Sequence, residues 1–314
     1  MKILFITSTY LGDAIIASGL LEVLRQQYPE ACFTIAGGRV PLPLFQSMPQ
    51  VEALIPIDKE SYGRHWLKLW MQCITTRWDL VVDGRGTAVS CFLWAKKRLI
   101  WQGGQLPILK VHQLSQWMGM DATPPSCIHV SASDEQAAEA LIQGRRIICL
   151  SPTANWDKKC WPLSSFVALG KCLVATDGLY AGASLAIVGA PSQRASLDSL
   201  FEALPSHQTL DWVGKIDLTV LAALLKRVSL FVGNDSGLMH MAAAMGAPTL
   251  GLFGPSDDRV YGPWGLRAHA IRTPSSFEES MRQARAGAFP MGELSVDSVL
   301  EKLRGLNSHA YCQE

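Results

Sequence analysis

The residues best suited to chemistry lie between Gly233 and Pro255, in the segment GNDSGLMHMAAAMGAPTLGLFGP. The apolar run before it predicts a strand, and the Ala- and Met-rich run predicts a short helix that leads into a second strand. Asp235 and Ser236 are good N-cap residues, and Gly237 lets a ligand approach the backbone closely. Free amides and the helix dipole favour a phosphate there, with His240 one turn further on. The segment therefore predicts an anion site with an acid and an imidazole beside it.

Two further candidate residues lie elsewhere in the chain. Asp13 follows Gly12 after the first apolar run, and Lys159 ends the segment Asp-Lys-Lys. The acid could take the proton from an attacking hydroxyl, and the lysine and the helix start could stabilise a departing diphosphate. These parts fit group transfer from a diphosphate to an acceptor hydroxyl without a metal. The plainer interpretations stay open: a helix cap for Asp13, a solvated surface charge for Lys159 and a satisfied core histidine for His240.

Other familiar chemistry is not indicated. The turn STYLGD lacks the GxGxxG pattern of dinucleotide-binding folds, and the chain has no Walker lysine motif, HExxH or GxSxG. The eight cysteines include no CxxC pair, and most are interpreted as small buried apolar residues and not as metal ligands. No nucleic-acid-binding motif is visible. The sequence therefore predicts no cofactor, no metal and no nucleic-acid partner.

The elements that must position these residues form two consecutive βα series. The first has predicted strands at residues 2–7, 32–36, 53–57 and 80–83 and a short strand-like run at 99–101. The second has strands at 147–150, 184–188, 230–232, 249–253 and 268–271. The domains are predicted as residues 1–143 and 144–314, with the last helix able to pack back on the first domain. Open α/β sheets bind ligands at the carboxyl ends of their strands, so we expect two facing sheets with a cleft between them.

A basic block separates the strands of the first series. Residues 62–112 carry eight basic side chains and two acidic ones. One amphipathic helix is predicted from Arg64 to Trp78, with Arg64 and Lys68 beside a tryptophan stripe, and a second helix is predicted from residue 87 through Ala95. The first helix is either an ordinary surface helix that packs its tryptophans on the sheet or a surface that meets lipid headgroups or a lipid-linked substrate.

Length favours two domains, and the pattern of the first residues favours the cytoplasm. The chain has 314 residues, of which 48% are hydrophobic and 18% charged, and it contains no run of eighteen uncharged apolar residues. The first residues enter a strand-like run at once, without the pattern of a signal peptide. A membrane-spanning segment is therefore not expected.

Four segments in matching order resemble glycosyltransferase family 9, which contains the ADP-heptose:lipopolysaccharide heptosyltransferases. They are MKILFITSTYLGDAIIASGLLEVLRQQYP, WDLVVDGRG, SPTANWDKKCWPLSSF and GNDSGLMHMAAAMGAPTLGLFGPSD, and they span nearly the whole chain. The resemblance implies a GT-B fold of two Rossmann-like domains and an inverting, metal-independent transfer. It implies a nucleotide-diphosphate sugar such as ADP-heptose as donor, held by the C-terminal domain, and a lipid-linked acceptor of the lipopolysaccharide-core type. The acceptor domain would then face the cytoplasmic surface of the inner membrane.

The resemblance also assigns roles to single residues. Asp13 in the GD motif matches the general base, and Lys159, followed by Trp161 and Pro162, matches a lysine that contacts the phosphates or the sugar. Arg64, Lys68 and Arg85 fall on the acceptor or membrane side. The positions that match donor-binding residues are Gly12, Thr153, Ile216, Asp235, Ser236, Gly237 and His240.

Two positions depart from the family pattern. Ser192, Gln193 and Arg194 stand where the heptosyltransferases carry an acid that holds the ribose, so the donor nucleotide stays open. Arg85 stands where the family often has glutamine. A glycosyltransferase with another donor and acceptor, a nucleotide-sugar epimerase, and a catalytically silent sugar-nucleotide-binding module are the alternatives. The epimerase needs further acids that the sequence does not identify, and the retained motifs argue against a silent module.

Overall fold

Near-continuous apolar runs form strands that are buried on both faces, as parallel strands require. In β1 (Lys2–Ile6) the last four residues are buried, and in β6 (Ile147–Ser151) all five are. The structure, a computed structural model, describes residues 1–104 and 106–310. The chain divides into two compact units, Met1–Ala132 and Ser133–Glu314, and each is built on one sheet of parallel strands.

The first unit has a five-stranded sheet in the order β3-β2-β1-β4-β5. Strand β1 lies in the middle of this sheet, with β2 on one side and β4 on the other. The strand order changes direction between β1 and β4, and open α/β sheets bind ligands at such a switch point. Its other elements are β2 (Cys32–Gly37), β3 (Val51–Pro56), β4 (Trp78–Asp83), β5 (Ala95–Ile100), α1 (Leu11–Gln27), α2 (Arg64–Cys73) and α3 (Lys110–Trp117).

The second unit has a six-stranded sheet in the order β11-β10-β9-β6-β7-β8, with its switch point at the β6/β9 pair. Its other strands are β7 (Ser184–Ile187), β8 (Thr209–Asp211), β9 (Leu230–Asn234), β10 (Thr249–Phe253) and β11 (Ala268–Arg272). The remaining helices are α4 (Ala132–Ile142), α5 (Leu163–Val174), α6 (Asp198–Ala203), α7 (Leu218–Leu225), α8 (Gly237–Ala244), α9 (Asp258–Tyr261), α10 (Phe277–Arg285) and α11 (Val296–Ala310).

Helix α4 makes polar side-chain contacts with residues at the two ends of α7. Thr219 donates through Oγ1 to Oδ1 of buried Asp134 at 3.0 Å, and Lys226 donates through Nζ to Glu135 at 2.9 Å. Thr219 lies in the first turn of α7, and Lys226 directly follows its last residue. A domain limit after residue 143 would separate α4 from them, and the limits 1–143 and 144–314 stay a prediction.

Two helix predictions in the basic block are wrong. Helix α2 ends at Cys73, and Trp78 begins β4, where its indole is buried and donates through Nε1 to the carbonyl of Cys73 at 3.0 Å. Residues 88–92 form a short 3-10 helix, and Ala95 begins β5 and does not end a helix. The lysines of β5 are exposed because this strand lies at the edge of the sheet. The predicted polar loop after residue 271 also contains helix α10.

The expectation that most cysteines are buried is wrong as well. Among the described residues, Cys73 and Cys149 are buried, whereas Cys32, Cys91 and Cys172 are exposed. Cys312 lies outside the described residues. Within residues 1–104 and 106–310, no helix combines the length and the apolar composition that crossing a bilayer requires.

Candidate functional site

Lys159 and Asp235 come together at the carboxyl edge of the second sheet. The Nζ of Lys159 donates to Oδ2 of Asp235 at 2.6 Å, and only 7% of the Asp235 side chain is exposed. Asp235 directly follows β9, and Lys159 ends a 3-10 turn at residues 157–159. The structure therefore joins two predicted site residues in one partly buried ion pair.

The loop that carries Lys159 is anchored on both sides. The amide of Trp161 donates to Oδ1 of Asn234 at 3.0 Å, and its indole donates through Nε1 to the carbonyl of Leu294 at 2.8 Å. Trp161 is buried against Phe166, with ring centroids 5.1 Å apart. Asn234 is a functional candidate that sequence reasoning missed, although a buried-looking strand that ends on asparagine before Asp-Ser-Gly was a signal for it. This anchoring fixes the position of the lysine.

Three buried polar groups lie at the same edge of the sheet as this ion pair. In the part of the chain that the structure describes, Oγ of Ser151, Nδ2 of Asn234 and Oγ of Ser236 have no hydrogen-bond partner. Ser151 ends β6 and pairs with Gly233 of the neighbouring β9, so all three groups lie at the carboxyl ends of the two central strands. Buried polar groups are nearly always paired, and unpaired ones at a switch point indicate a ligand site.

Helix α8 begins as predicted, but its first turn is organised differently. Ser236 is the N-cap residue with extended backbone, and among the described residues its hydroxyl makes no capping bond. Asp235 binds Lys159 and does not cap the helix. His240 lies one turn into α8, where it is buried and its amide reaches the carbonyl of Ser236 at 3.4 Å. The serine hydroxyl, Gly237 and the helix dipole can therefore face an anion together.

Gln193 joins the turns that follow β6 and β7. Its Oε1 accepts from Oγ1 of Thr153 at 2.7 Å and from the amide of Ala190 at 2.9 Å, and its Nε2 donates to the carbonyl of Ala154 at 3.2 Å. Thr153 is thus a partner of Gln193 at this edge. Gln193 fixes these two turns to each other, which the sequence pattern did not indicate.

A second polar cluster centres on Asp211 at the end of β8. Its Oδ2 accepts from Nζ of Lys215 at 2.7 Å and from Nε of Arg194 at 2.8 Å. Burial raises the pKa of Asp211, but these hydrogen bonds outweigh burial and hold the pKa below its ordinary 3.8. Ile216, the predicted nucleobase contact, directly follows Lys215 and is half-buried. The acid at the centre of this cluster is therefore Asp211, on the strand next to β7.

Asp13 lies in the first turn of α1, at the switch point of the first unit. It is half-buried and accepts a hydrogen bond from Oγ of Ser8 at 3.3 Å. The N-cap is Tyr10, so the interpretation of Asp13 as the cap residue is wrong. Gly12 precedes it and is also half-buried. A half-buried carboxylate that is engaged by one weak hydrogen bond suits a general base.

Lys110, the first residue of α3, has a charge interaction with Asp13 that sequence reasoning missed. Burial lowers the pKa of Lys110, and the charge of Asp13 acts in the opposite direction. Its Nζ lies 4.4 Å from the centroid of the Trp101 ring. This charge interaction depends on the tertiary fold, and no local pattern around residue 110 could have indicated it.

Asp83 explains the motif DGRG structurally. Fully buried at the end of β4, it accepts from the amides of Arg85 and Thr87 at 2.9 and 2.8 Å and from the Thr87 hydroxyl at 2.6 Å. The guanidinium of Arg85 lies 5.1 Å from the centroid of the Trp66 ring of α2. The buried acid therefore organises the turn, and the turn directs Arg85 toward α2.

Helix α2 packs on the core of the first unit and leaves apolar side chains exposed, and its contact with lipid stays a prediction. Trp66 and Trp70 pack partly buried against the core of the first unit, as an ordinary surface helix would place them. Leu67 and Met71 face outward, and Phe92 and Trp94 are exposed in the following segment. Arg64 and Lys68 are exposed, and Lys68 pairs with Glu60. We call Leu67, Met71, Phe92 and Trp94 the apolar patch.

Comparisons with known proteins point to one protein family. The family model of glycosyltransferase family 9 (heptosyltransferase) matches residues 74–287. Lipopolysaccharide heptosyltransferase 2 of Salmonella typhimurium is 24% identical, over 98% of this chain and 99% of its own length. The family 9 glycosyl transferase structure from Veillonella parvula is 20% identical, covers 97% of this chain and 96% of its own, and has a TM-score of 0.81.

The structure of E. coli ADP-heptose LPS heptosyltransferase II has a TM-score of 0.76, with 22% identity over 99% of this chain and 100% of its own. At such identities the likeness establishes the fold, which is GT-B, as the sequence resemblance implied. The family match covers more than half of the chain. The chain therefore belongs to glycosyltransferase family 9, the heptosyltransferase family, and is a glycosyltransferase.

Proposed function

We propose that this protein transfers a heptose, with inversion and without a catalytic metal, from a nucleotide-diphosphate donor to an acceptor of the lipopolysaccharide-core type. The observation that carries the proposal is the Lys159–Asp235 pair beside the unpaired groups of Ser151, Asn234 and Ser236 at the start of α8. The names of the relatives supply the sugar and the acceptor, and ADP-heptose is named for the E. coli structure.

The second unit would hold the donor. The hydroxyl of Ser236, the backbone at Gly237 and the ammonium of Lys159 would bind the diphosphate, where the helix dipole adds to their positive potential. Asp235 would hold Lys159 in place and lie near the transferred sugar, with His240 behind it. Of the other candidates, Thr153 would line the edge near the phosphates or ribose, and Ile216 would meet the nucleobase.

The first unit would bind the acceptor and would supply the general base. As the acceptor hydroxyl oxygen forms its bond to the anomeric carbon, the bond from that carbon to the diphosphate oxygen breaks. Asp13, preceded by Gly12, would take the hydroxyl proton, and Lys159 with the α8 N-terminus would stabilise the charge on the leaving nucleoside diphosphate. One displacement of this kind inverts the anomeric configuration.

The base assignment is tested by the change Asp13→Ala, with Asp121→Asn as a matched control at an exposed acid of the same unit. We expect heptose transfer from ADP-heptose to fall by about 10²- to 10⁴-fold, as loss of a general base does, while ADP binds with unchanged affinity. The Asp121 variant should transfer like the wild type.

Transfer by the Asp13 variant at the wild-type rate would contradict the mechanism. Transfer of another sugar by the wild type, with none of heptose, would contradict the donor and leave the fold and the base intact. Activity that EDTA abolishes and a divalent cation restores would contradict the metal-independent step.

A further inference from the structure

A cysteine, a histidine and a glutamate of the first unit converge on one point that the proposed transfer does not use. Oε2 of Glu22 lies 3.0 Å from Nε2 of His129, which lies 3.6 Å from Sγ of Cys127, and all three ligand atoms lie within 4.8 Å of one another. We propose that these side chains form a structural site for a borderline divalent cation, with Zn²⁺ as the best match.

The position of the three residues is fixed by close packing against α1. The amide of Cys127 donates to Oγ of Ser18 at 2.9 Å, so the segment before α4 follows one face of α1. At Gly19 the carbonyl oxygen of Pro125 would lie 2.4 Å from an added Cβ, so only glycine permits this approach. Ser18 and Glu22 are one helical turn apart on that face. These contacts therefore fix the segment that carries Cys127 and His129 against the face of α1 that carries Glu22.

The donor atoms and their spacing suit zinc. Thiolate, imidazole and carboxylate are its usual ligands, with bonds of about 2.3, 2.0 and 2.0 Å, and a tetrahedron with such bonds separates sulfur from nitrogen by about 3.5 Å and nitrogen from oxygen by about 3.3 Å. The corresponding separations here are 3.6 and 3.0 Å. Three protein ligands leave a fourth position for water. Two of the three separations therefore lie within a few tenths of an ångström of a zinc tetrahedron, and the third, from sulfur to oxygen, is at most 4.8 Å.

Neighbouring groups orient the carboxylate. Arg25 donates to both oxygens of Glu22, at 2.9 and 2.7 Å, and Gln26 donates to Oε1 at 2.9 Å. Hydrogen bonds of this kind hold metal-ligating carboxylates in place. The guanidinium charge opposes the cation, so we expect weaker binding than at a site with two thiolates. Binding also releases the thiol proton of Cys127.

The site is too far from Asp13 to take part in transfer. Glu22 lies about two and a half turns, or about 14 Å, further along α1. A bound cation would instead cross-link α1 to the segment that leads into α4. It would stabilise the first unit against unfolding without changing the chemistry of the transferase.

The test uses the full chain after chelator treatment and dialysis. We expect calorimetry to show about one equivalent of Zn²⁺ bound, a higher Tm with Zn²⁺, and a thiolate-to-cobalt charge-transfer band with Co²⁺. Cys127→Ser should abolish the band, and Cys127→Ser and His129→Asn should each weaken Zn²⁺ binding by about tenfold or more. Cys172→Ser, at an exposed cysteine, is the matched control and should bind like the wild type.

Absence of stoichiometric binding would overturn the site, and so would binding that survives both ligand changes. Circular dichroism and ADP affinity of the metal-free variants show whether they fold. The outcome is independent of the proposed function, because the metal-free wild type should still transfer heptose below its Tm and should lose only thermal stability.

Discussion

The carboxylate of Asp235 is nearly buried, and its ion-pair partner is the ammonium of Lys159. Such a pair adds little net stability, but removal of one partner leaves an uncompensated charge away from water at a cost of about 3–5 kcal/mol. Under the proposed mechanism the ammonium also faces the leaving diphosphate. Lys159 therefore has two roles, one in stability and one in donor binding, and suitable variants can separate them.

Lys159→Ala should lower the free energy of unfolding by about 3 kcal/mol and also weaken ADP binding. Adding Asp235→Asn should restore most of the stability, since no buried charge then lacks a partner, but should not restore ADP binding. Urea unfolding and calorimetry measure the two effects. Lys158→Ala is the matched control, because the neighbouring lysine donates to the carbonyl of Gly287 and not to a carboxylate. Recovery of ADP affinity in the double variant would contradict the role of Lys159.

Asp211 gives a prediction about pH. Because its folded pKa is below its ordinary 3.8, the carboxylate contributes stability above that pH, and the contribution is lost as pH falls through the folded pKa. The difference in unfolding free energy between wild type and Asp211→Asn should therefore be constant from about pH 7 to 5 and shrink below about pH 4. Urea unfolding at several pH values measures it, with Asp177→Asn at an exposed position as control. A difference that grows on acidification would contradict the ion cluster.

Among the elements, the turns after β7 and β8 are held together by backbone geometry. Gly214 has φ +66°, and its amide donates to the carbonyl of Gly189 at 3.1 Å. An added Cβ at Gly214 would lie 2.5 Å from Cα of Pro191, so the turn that carries Ile216 can pack there only with glycine.

Gly214→Ala should therefore lower the free energy of unfolding by more than backbone strain alone would. Gly182 is the matched control, since its φ is +74° and an added Cβ meets nothing within 4 Å. We expect Gly182→Ala to lose about 1 kcal/mol of stability and keep its ADP affinity, and Gly214→Ala to lose at least about 2 kcal/mol and bind ADP more weakly. Thermal unfolding and calorimetry provide the comparison. Equal effects of the two changes would show that the contact with Pro191 does not matter.

Sequence patterns could predict the buried strands of both sheets because parallel strands are apolar along their whole length. Edge strands were less visible: β5 contains Lys96, Lys97 and Arg98, and β8 has only three residues. Trp78 fitted the helical spacing of the preceding tryptophans, yet it belongs to a strand because its indole completes the core. The motifs indicated Lys159 and Asp235 separately, and their ion pair follows from the tertiary fold.

On the scale of the whole molecule, one surface of the first unit combines apolar and basic groups. The exposed lysines Lys96 and Lys97 follow Phe92 and Trp94 of the apolar patch along the chain. The indole of Trp70 donates to the carbonyl of Phe92 at 3.2 Å, which ties α2 to the segment before β5. Arg98 belongs to the scaffold, since it donates to backbone carbonyls of Ser90 and Leu93. We propose that the patch and the lysines contact anionic lipid near the acceptor.

Vesicle sedimentation tests this proposal. Binding to anionic vesicles should weaken with added salt and with Lys96→Ala plus Lys97→Ala, by roughly 1 kcal/mol per lysine. Phe92→Ser plus Trp94→Ser should weaken binding at every salt concentration, since apolar contact is not screened. Leu266→Ser is the control, at a fully exposed leucine of the second unit. Equal binding to neutral and anionic vesicles would contradict the electrostatic part.

The contacts of α4 have a consequence for biosynthesis. During synthesis all five strands of the first sheet emerge before α4, whereas Thr219 and Lys226 follow their α4 partners by 85 and 91 residues. Domains generally fold in order as the chain grows, and distant contacts form late. We therefore expect the first unit to fold on the ribosome before α4 has formed its contacts with Thr219 and Lys226. In that interval α4 is the segment that a protease or a chaperone would meet.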